Sequence, residues 1–133
     1  MKEIIFETTE RNQLLNITKE VEKAIKTAPF SKGIVFLFVP HTTCSLTINE
    51  GTDPNITKDI VNFFNSLVKE GVWRHDVIDN NGAAHIKSTL LEKYLLIPYE
   101  DFALKLGTWQ NIFLCEFDGP RKRKILISFI ETK

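Results

Sequence analysis

The chain has 133 residues, 43% of them hydrophobic, which is long and apolar enough to enclose a core as one domain, residues 1 to 133. Lysine plus arginine and aspartate plus glutamate both number 17, so no net charge attracts nucleic acid or an acidic membrane surface. No apolar run approaches the roughly 18 residues of a membrane span. The first residues lack the apolar segment of a signal peptide. These absences predict a cytoplasmic protein without nucleic-acid or membrane partners.

The first forty residues predict two strands, a helix and a buried strand. Residues 3 to 8 have strand character, and residues 14 to 17 follow a polar turn that allows them to pair back. Thr18 is the expected N-cap of a helix that continues to about residue 28. The run GIVFLFV, residues 33 to 39, has the length and continuous apolar character of a strand covered on both faces.

Residues 41 to 50, HTTCSLTINE, alternate between apolar and polar side chains. This period of two predicts a half-buried strand whose apolar face, with Cys44, Leu46 and Ile48, contacts a core. The opposite face carries one imidazole, three hydroxyls and one amide: His41, Thr43, Ser45, Thr47 and Asn49. This polar face is a candidate binding surface.

The remainder of the chain predicts two helices followed by strands. Asp53 and Pro54 provide an acidic cap and a proline at the first helical position, and Gly71 is the expected end of that helix. A loop over residues 72 to 82 leads to a shorter helix over residues 83 to 93. Three strands complete the chain, at residues 94 to 100, 109 to 117 and 124 to 132. This order predicts an α+β fold with a mixed or mostly antiparallel sheet and two to three helices.

The two cysteines do not form a recognisable metal or disulfide motif. Cys44 and Cys115 are far apart in the chain, and each falls on an apolar face of a predicted strand. We interpret both as small core residues.

The three histidines are candidates for one site. His41 begins the polar strand face, His75 lies in the predicted loop, and His85 lies in the short helix. Three imidazoles from three elements, with a fourth position open, are typical of catalytic zinc sites. The alternative is that they are unrelated, one bonded within the core and two solvated.

Acidic residues follow the polar strand. Glu50 lies where the strand leads into the helix, so its carboxylate is placed to orient a histidine or to act as a base. Asp53 is more simply explained as the helix cap.

Basic residues lie at the start of the last strand, in the run RKRK from 121 to 124. Arg121 and Arg123 share a face and form a fork suited to phosphate. The same residues are also a usual protection of an edge strand against aggregation. Thr108 and Gln110 begin the preceding strand, where Gln110 and Glu116 share a face and are placed to line a pocket or a subunit contact.

These pieces together resemble the YjbQ family. The family pattern HT-[ST]-x-x-LT-x-NE-x-x-DP is similar to residues 41 to 54. The remaining motifs follow in the family's order: RHD at 74 to 76, AAHIKS at 83 to 88, GTWQ-x-I at 107 to 112 and E-x-D-G-P-R at 116 to 121.

The resemblance implies a compact α+β domain that assembles as a homotrimer. It also implies secondary thiamine-phosphate synthase activity, in which a pyrimidine methyl diphosphate is joined to a thiazole phosphate. Catalytic roles then fall on His41, Glu50, His75 and His85, and the three histidines become the metal ligands. The metal would be zinc, or magnesium with the diphosphate. Other carboxylates carried over are Asp53, Asp76 and Glu116, and the phosphorylated small molecule would contact Thr43, Ser45, Thr108, Gln110, Arg121 and Arg123.

Overall fold

A computed structural model describes all residues, 1 to 133, and has the expected α+β fold. The strands are β1 (Lys2–Glu7), β2 (Gln13–Asn16), β3 (Gly33–Phe38), β4 (Cys44–Glu50), β5 (Tyr94–Glu100), β6 (Ala103–Leu104), β7 (Gln110–Glu116) and β8 (Lys122–Glu131). The helices are α1 (Thr18–Ile25), α2 (Pro54–Leu67) and α3 (Gly82–Thr89), and a single 3₁₀ turn spans Arg74–Val77. None of the helices is long and apolar enough to cross a membrane.

The strands form two antiparallel sheets. The larger sheet has the order β1-β8-β3-β5-β6, and the smaller one has the order β2-β7-β4. The main core lies between the two sheets and is completed by α1 residues such as Val21 and Ile25. A second apolar cluster lies on the other face of β7, where Phe113 and Cys115 pack with Ala84 of α3. The smaller sheet is therefore covered on both faces.

The alternation in β4 and β7 is explained by these two clusters. Cys44 and Leu46 belong to the main core, whereas Cys115 belongs to the second cluster. Both cysteines are buried, as expected for small core residues. Because burial raises the pKa of Cys44 to about 11, its thiol stays protonated near neutral pH and is a poor nucleophile.

One helix start is confirmed, and several other helix ends differ from the sequence prediction. α1 ends at Ile25 instead of about residue 28, and α3 ends at Thr89 instead of residue 93. Asp53 caps α2 by accepting a hydrogen bond from the N–H of Asn55 at 2.9 Å, as predicted. Thr18 is not a cap; it is the first residue of α1, and its hydroxyl bonds Asn16 and the N–H of Ile112 instead. Because the Thr18 hydroxyl accepts the N–H of Ile112 in β7, it is not available to cap the helix. α2 ends before Gly71, whose φ of +74° belongs to the following turn.

β3 is covered on only one face within a single chain. Val35 and Leu37 are fully buried in the main core, while Ile34, Phe36 and Phe38 on the other face are half-buried. The continuous apolar run therefore reflects one core face and one apolar outer face.

Candidate functional site

One polar cavity of about 600 Å³, which we term the histidine cavity, collects residues from distant parts of the chain. It lies where the β3–β4 loop, the 3₁₀ turn with the start of α3, and the β7–β8 turn meet. Six of the ten predicted site residues line it: His41, Thr43, His75, His85, Arg121 and Arg123. The histidines therefore share one cavity, although 44 residues separate the first from the last.

His41 lies in the β3–β4 loop and is bonded to the start of β8. The backbone N–H of Lys124 donates to its Nε2 at 3.0 Å. An N–H donor needs a lone pair on Nε2, so the neutral imidazole carries its proton on Nδ1. Burial, together with the positive charge of Arg123, lowers the pKa of His41 below 6.5. The neutral ring therefore predominates at pH 7, and Nδ1 is the nitrogen left for a ligand.

His75 and His85 form an adjacent pair. Their ring centroids are 4.6 Å apart and the rings are nearly perpendicular. His75 Nε2 makes no hydrogen bond, and the carboxylate oxygen Oδ2 of Asp79 lies 3.6 Å away.

Asp76 holds the 3₁₀ turn of His75 against the helix of His85. Its two carboxylate oxygens accept the N–H of Gly82 at 2.8 Å and the N–H of Trp73 at 3.0 Å. The bond from Gly82, followed by that from Trp73, lowers the pKa of Asp76. A side chain at Gly82 would place its Cβ 2.6 Å from that of Trp73, so this close approach requires glycine. The local packing thus sets the spacing of the imidazole pair.

The histidines do not form the expected metal centre. No group of three or more His, Cys, Asp or Glu side chains in the chain is placed to hold a metal ion. His41 prevents the three histidines from binding one metal ion together. Its Nε2 is occupied by the Lys124 N–H and its Nδ1 carries the proton, so neither nitrogen has a free lone pair. The donors fit neither the tetrahedral zinc arrangement nor the oxygen-rich shell of magnesium.

Arg123 forms a buried ion pair at the back of the cavity. Its Nε donates to Glu116 Oε1 at 2.8 Å, and its Nη2 bonds both Glu116 Oε2 and the Thr43 hydroxyl, the latter at 2.7 Å. Burial alone would raise the pKa of Glu116, but bonds from Arg123, the Asp118 N–H and Thr8 lower it overall. Both side chains are nearly inaccessible, at 3% and 0% exposure. Arg123 thus fixes Thr43 while remaining tied to its carboxylate.

Arg121 is paired with a different acid. Its Nη2 lies 3.0 Å from Asp118 Oδ2, its Nε donates to the Asp118 carbonyl at 2.7 Å, and half of its side chain is exposed. Asn81 Nδ2 also donates to Asp118 Oδ2 at 2.8 Å. The predicted arginine fork is present at the cavity, but each arginine already has a carboxylate partner.

Four predicted site residues do not line the cavity. Ser45 is fully buried beneath α3, where its hydroxyl donates to the Ser88 carbonyl at 2.6 Å. Glu50 lies at the far end of β4, six residues and about 20 Å from Cys44. There its carboxylate accepts the Asp53 N–H at 3.2 Å. β7 pairs with β4 so that Gln110 lies opposite Glu50, and Thr108 and Gln110 are exposed at that same end.

Sequence reasoning missed Lys93, which also lines the cavity. Its Nζ donates to the carbonyl oxygens of His41 at 2.9 Å and Cys44 at 2.6 Å, and it bonds the Ser88 hydroxyl. No sequence signal marks this role, because two of its partners are backbone atoms about fifty residues away. Asp79, Asn81 and Asp118 were missed as well; the first two lie in a segment without a regular hydrophobic period.

Fold and cavity together define a small α+β protein with two packed antiparallel sheets and a histidine-lined polar cavity at their edge. The chain belongs to the YjbQ family: the family model described as "UPF0047 protein YjbQ-like" matches residues 2–132.

Relatives and solved structures agree with this assignment. UPF0047 protein MJ1081 of Methanocaldococcus jannaschii is 40% identical over 128 residues, covering 96% of this chain and 92% of the relative. YugU of Bacillus subtilis is 36% identical, with 98% of each protein covered. The crystal structure of an uncharacterised YjbQ/UPF0047-family protein from Clostridium acetobutylicum has a TM-score of 0.92 at 39% identity, covering 98% of this chain and all of the other. These matches establish family and fold and name no reaction.

Proposed function

We propose that this chain is a small metabolic enzyme that binds a phosphorylated small molecule in the histidine cavity. The observation that supports the proposal is the meeting of three imidazoles, two guanidiniums and one ammonium in a single cavity of about 600 Å³. That volume lies within the range of small-molecule sites. A cavity that combines proton-transfer groups with cations suits chemistry on an anionic substrate.

His41 is the expected hydrogen-bond donor to the substrate. Its Nε2 is held by the Lys124 N–H, so the ring is oriented before a ligand arrives and presents Nδ1–H. The adjacent pair of His75 and His85 supplies two further imidazoles that can donate or accept hydrogen bonds.

The arginines are the expected phosphate contacts. Arg121 and Arg123 each use Nε and Nη2 on partners within the chain, whereas neither Nη1 makes a hydrogen bond. These Nη1 groups are the donors left for phosphate oxygens. Since the three-histidine donor set does not fit zinc or magnesium, no step of the proposed function is assigned to a metal.

Thiamine-phosphate synthesis is the reaction of this class that the family resemblance suggests. Both of its substrates carry phosphate, and the departing pyrophosphate would need the cations of the cavity. The test is thiamine phosphate formation from the pyrimidine diphosphate and the thiazole phosphate, followed by chromatography. His41→Ala is expected to lower the rate at least about tenfold, because positioned acid–base groups typically contribute about a hundredfold or more.

The matched control is Glu50→Gln, which removes a charge about 20 Å along the strand from the cavity. Its rate should equal that of the wild type. An unchanged rate in His41→Ala would remove His41 from the reaction. Substrate binding without any turnover would instead establish the alternative, a binding protein for phosphorylated metabolites.

We propose further that the chain assembles as a homotrimer through the outer face of the larger sheet. Tyr94 and Leu96 of β5 are more than half exposed, at 52% and 53%, and Ile130 of β8 is 47% exposed. Each of these residues is paired across neighbouring strands with a half-buried outer residue of β3, as Leu96 is with Phe36. An apolar sheet face of this kind usually marks a protein interface.

Sedimentation equilibrium tests the assembly. The wild type should have three times the chain mass of 15.3 kDa, and Leu96→Glu should shift it toward the monomer. A charge reversal at an exposed residue outside this sheet, Lys19→Glu in α1, should leave the mass unchanged. A monomeric wild type would contradict the assembly.

A further inference from the structure

We propose that Lys93 is a positioning residue of the histidine cavity. We further propose that a bound anion is the counter-ion of its ammonium group. The inference deepens the proposed function and rests on it. It assigns the anionic group of the ligand to the side of the cavity formed by the His41–Cys44 loop.

The first part of the argument is the set of contacts that Lys93 makes. All three of its donors are used: on the carbonyl oxygens of His41 and Cys44 and on the Ser88 hydroxyl. Ser88 in turn donates to the Cys44 carbonyl at 3.0 Å, and its hydroxyl oxygen lies 2.9 Å from that of Ser45. Lys93 therefore ties the loop that carries His41 and Thr43 to the end of α3. With its donors engaged, it acts on a ligand through its charge and through the shape of this loop.

The second part is the balance of charge around the cavity. Arg123 is neutralised by Glu116 and Arg121 by Asp118, each in direct contact. No carboxylate lies within ion-pair distance of Lys93, whose hydrogen-bond partners are all neutral oxygens. Burial lowers the pKa of Lys93, as expected for an ammonium removed from water without a counter-ion.

The consequence concerns the ligand. A partly desolvated charge without a counter-ion is costly, and an anion bound beside it removes part of that cost. Clefts with low-dielectric walls strengthen such attraction relative to bulk water. Of the lysine and arginine side chains that line the cavity, Lys93 is the one without a carboxylate in direct contact, so we expect its charge to add to the affinity for an anion.

The experiment uses pyrophosphate as the probe and isothermal titration calorimetry at low and at moderate salt. Lys93→Met keeps the length of the side chain but removes the charge, and it should weaken binding at least about tenfold, as expected for one charge lost a few ångströms from the anion. The salt dependence of the remaining affinity should also decrease. Lys93→Arg retains the charge and should recover most of the affinity.

Two controls separate charge from structure. Ser88→Ala removes one acceptor of Lys93 but keeps the ammonium, so pyrophosphate affinity should change less than about threefold. Lys105→Met removes an exposed lysine near Glu100, outside the cavity, and should have no effect. Thermal melting of each variant, with and without pyrophosphate, shows whether it folds and, independently of the heats, whether it binds.

The outcomes are distinct. Equal affinity of wild type and Lys93→Met would overturn the role of Lys93 and leave the proposed function standing. Equal losses in Lys93→Met, Lys93→Arg and Ser88→Ala, with unchanged salt dependence, would reduce Lys93 to a structural residue and also overturn the inference. Failure of the wild type to bind pyrophosphate would overturn the inference and count against the proposed function itself.

Discussion

Replacement of Arg123 by methionine provides the sharpest test of how the cavity is built. Arg123 and Glu116 are 3% and 0% exposed, so the substitution leaves a carboxylate buried without its cation. The carboxylate would keep only the Thr8 hydroxyl at 2.7 Å and the N–H groups of Phe117 and Asp118, each at 3.0 Å. Breaking a buried pair by removing one partner typically costs about 3–5 kcal/mol. Arg123→Met should lose that much free energy of unfolding in urea titrations at pH 7.

Arg121→Met is the matched control for this substitution. Arg121 also pairs with an acid at the cavity, but half of its side chain is exposed. Exposed pairs contribute about 1 kcal/mol or less. If Arg123→Met costs no more than Arg121→Met, the buried pair is not what holds the back of the cavity together.

The pH dependence of the same comparison follows from Glu116. Its pKa is lower in the folded protein than the ordinary value of 4.5, so the ion pair adds stability above pH 4.5, and this is lost as the pH falls through the lower folded value. In Arg123→Met the carboxyl would take up a proton as the pH falls, which removes the penalty of a buried charge. The stability difference between the two proteins should therefore be large at pH 7 and should shrink as the pH falls toward 4.5 and below it.

Four further predictions concern His41, Glu50, Ser45 and the metal. The pKa of His41 in the folded protein lies below 6.5, so its contribution to stability is present above pH 6.5 and is lost as the pH falls through the lower folded-state pKa. His41→Gln should therefore flatten the profile of unfolding free energy measured between pH 7 and 5. An unchanged slope would contradict the lowered pKa of His41. Glu50→Gln should bind pyrophosphate as the wild type does. Ser45→Ala should lose about 1 kcal/mol of unfolding free energy in urea without loss of binding, because the Ser45 hydroxyl bonds Ser88 beneath α3. Protein purified without added metal should carry well below one zinc per chain by elemental analysis, and stoichiometric zinc that disappears in His75→Ala would show that the side chains rearrange around an ion.

Local signals predicted the elements that depend on neighbouring residues. The period of two in residues 41 to 50 identified β4 and its core face, with Cys44 and Leu46 buried as expected. Asp53 caps α2 through its side chain, as its position before a proline indicated. The resemblance to the YjbQ family and the α+β class were also confirmed.

The position of a residue along a strand was harder to predict than its face. Parity placed His41 and Ser45 on one polar face, and Glu50 was assigned to the same site from its place at the end of that strand. Parity does not indicate which element covers each part of a strand. Ser45 lies under α3, and Glu50 is about 20 Å further along, at the turn into α2. A long-range partner decided the position of Ser45, whereas the length of the strand decided that of Glu50.

Interactions with backbone atoms far away in the chain were not predictable. The bond from the Lys124 N–H to His41 changes that histidine from a candidate metal ligand into a neutral, oriented donor. Lys93 likewise acts on carbonyl oxygens, which every residue has and which therefore leave no trace in the sequence. Only the packing of β8 and α3 against the β3–β4 loop reveals these roles.

The most direct test that the histidine cavity is a single binding site is nitrogen-15 NMR of the imidazole rings during titration with pyrophosphate. Resonances of His41, His75 and His85 should all shift and should saturate with one common dissociation constant, because the three rings line one cavity. Binding heats that appear while none of the three resonances moves would place the anion elsewhere on the protein and contradict the account.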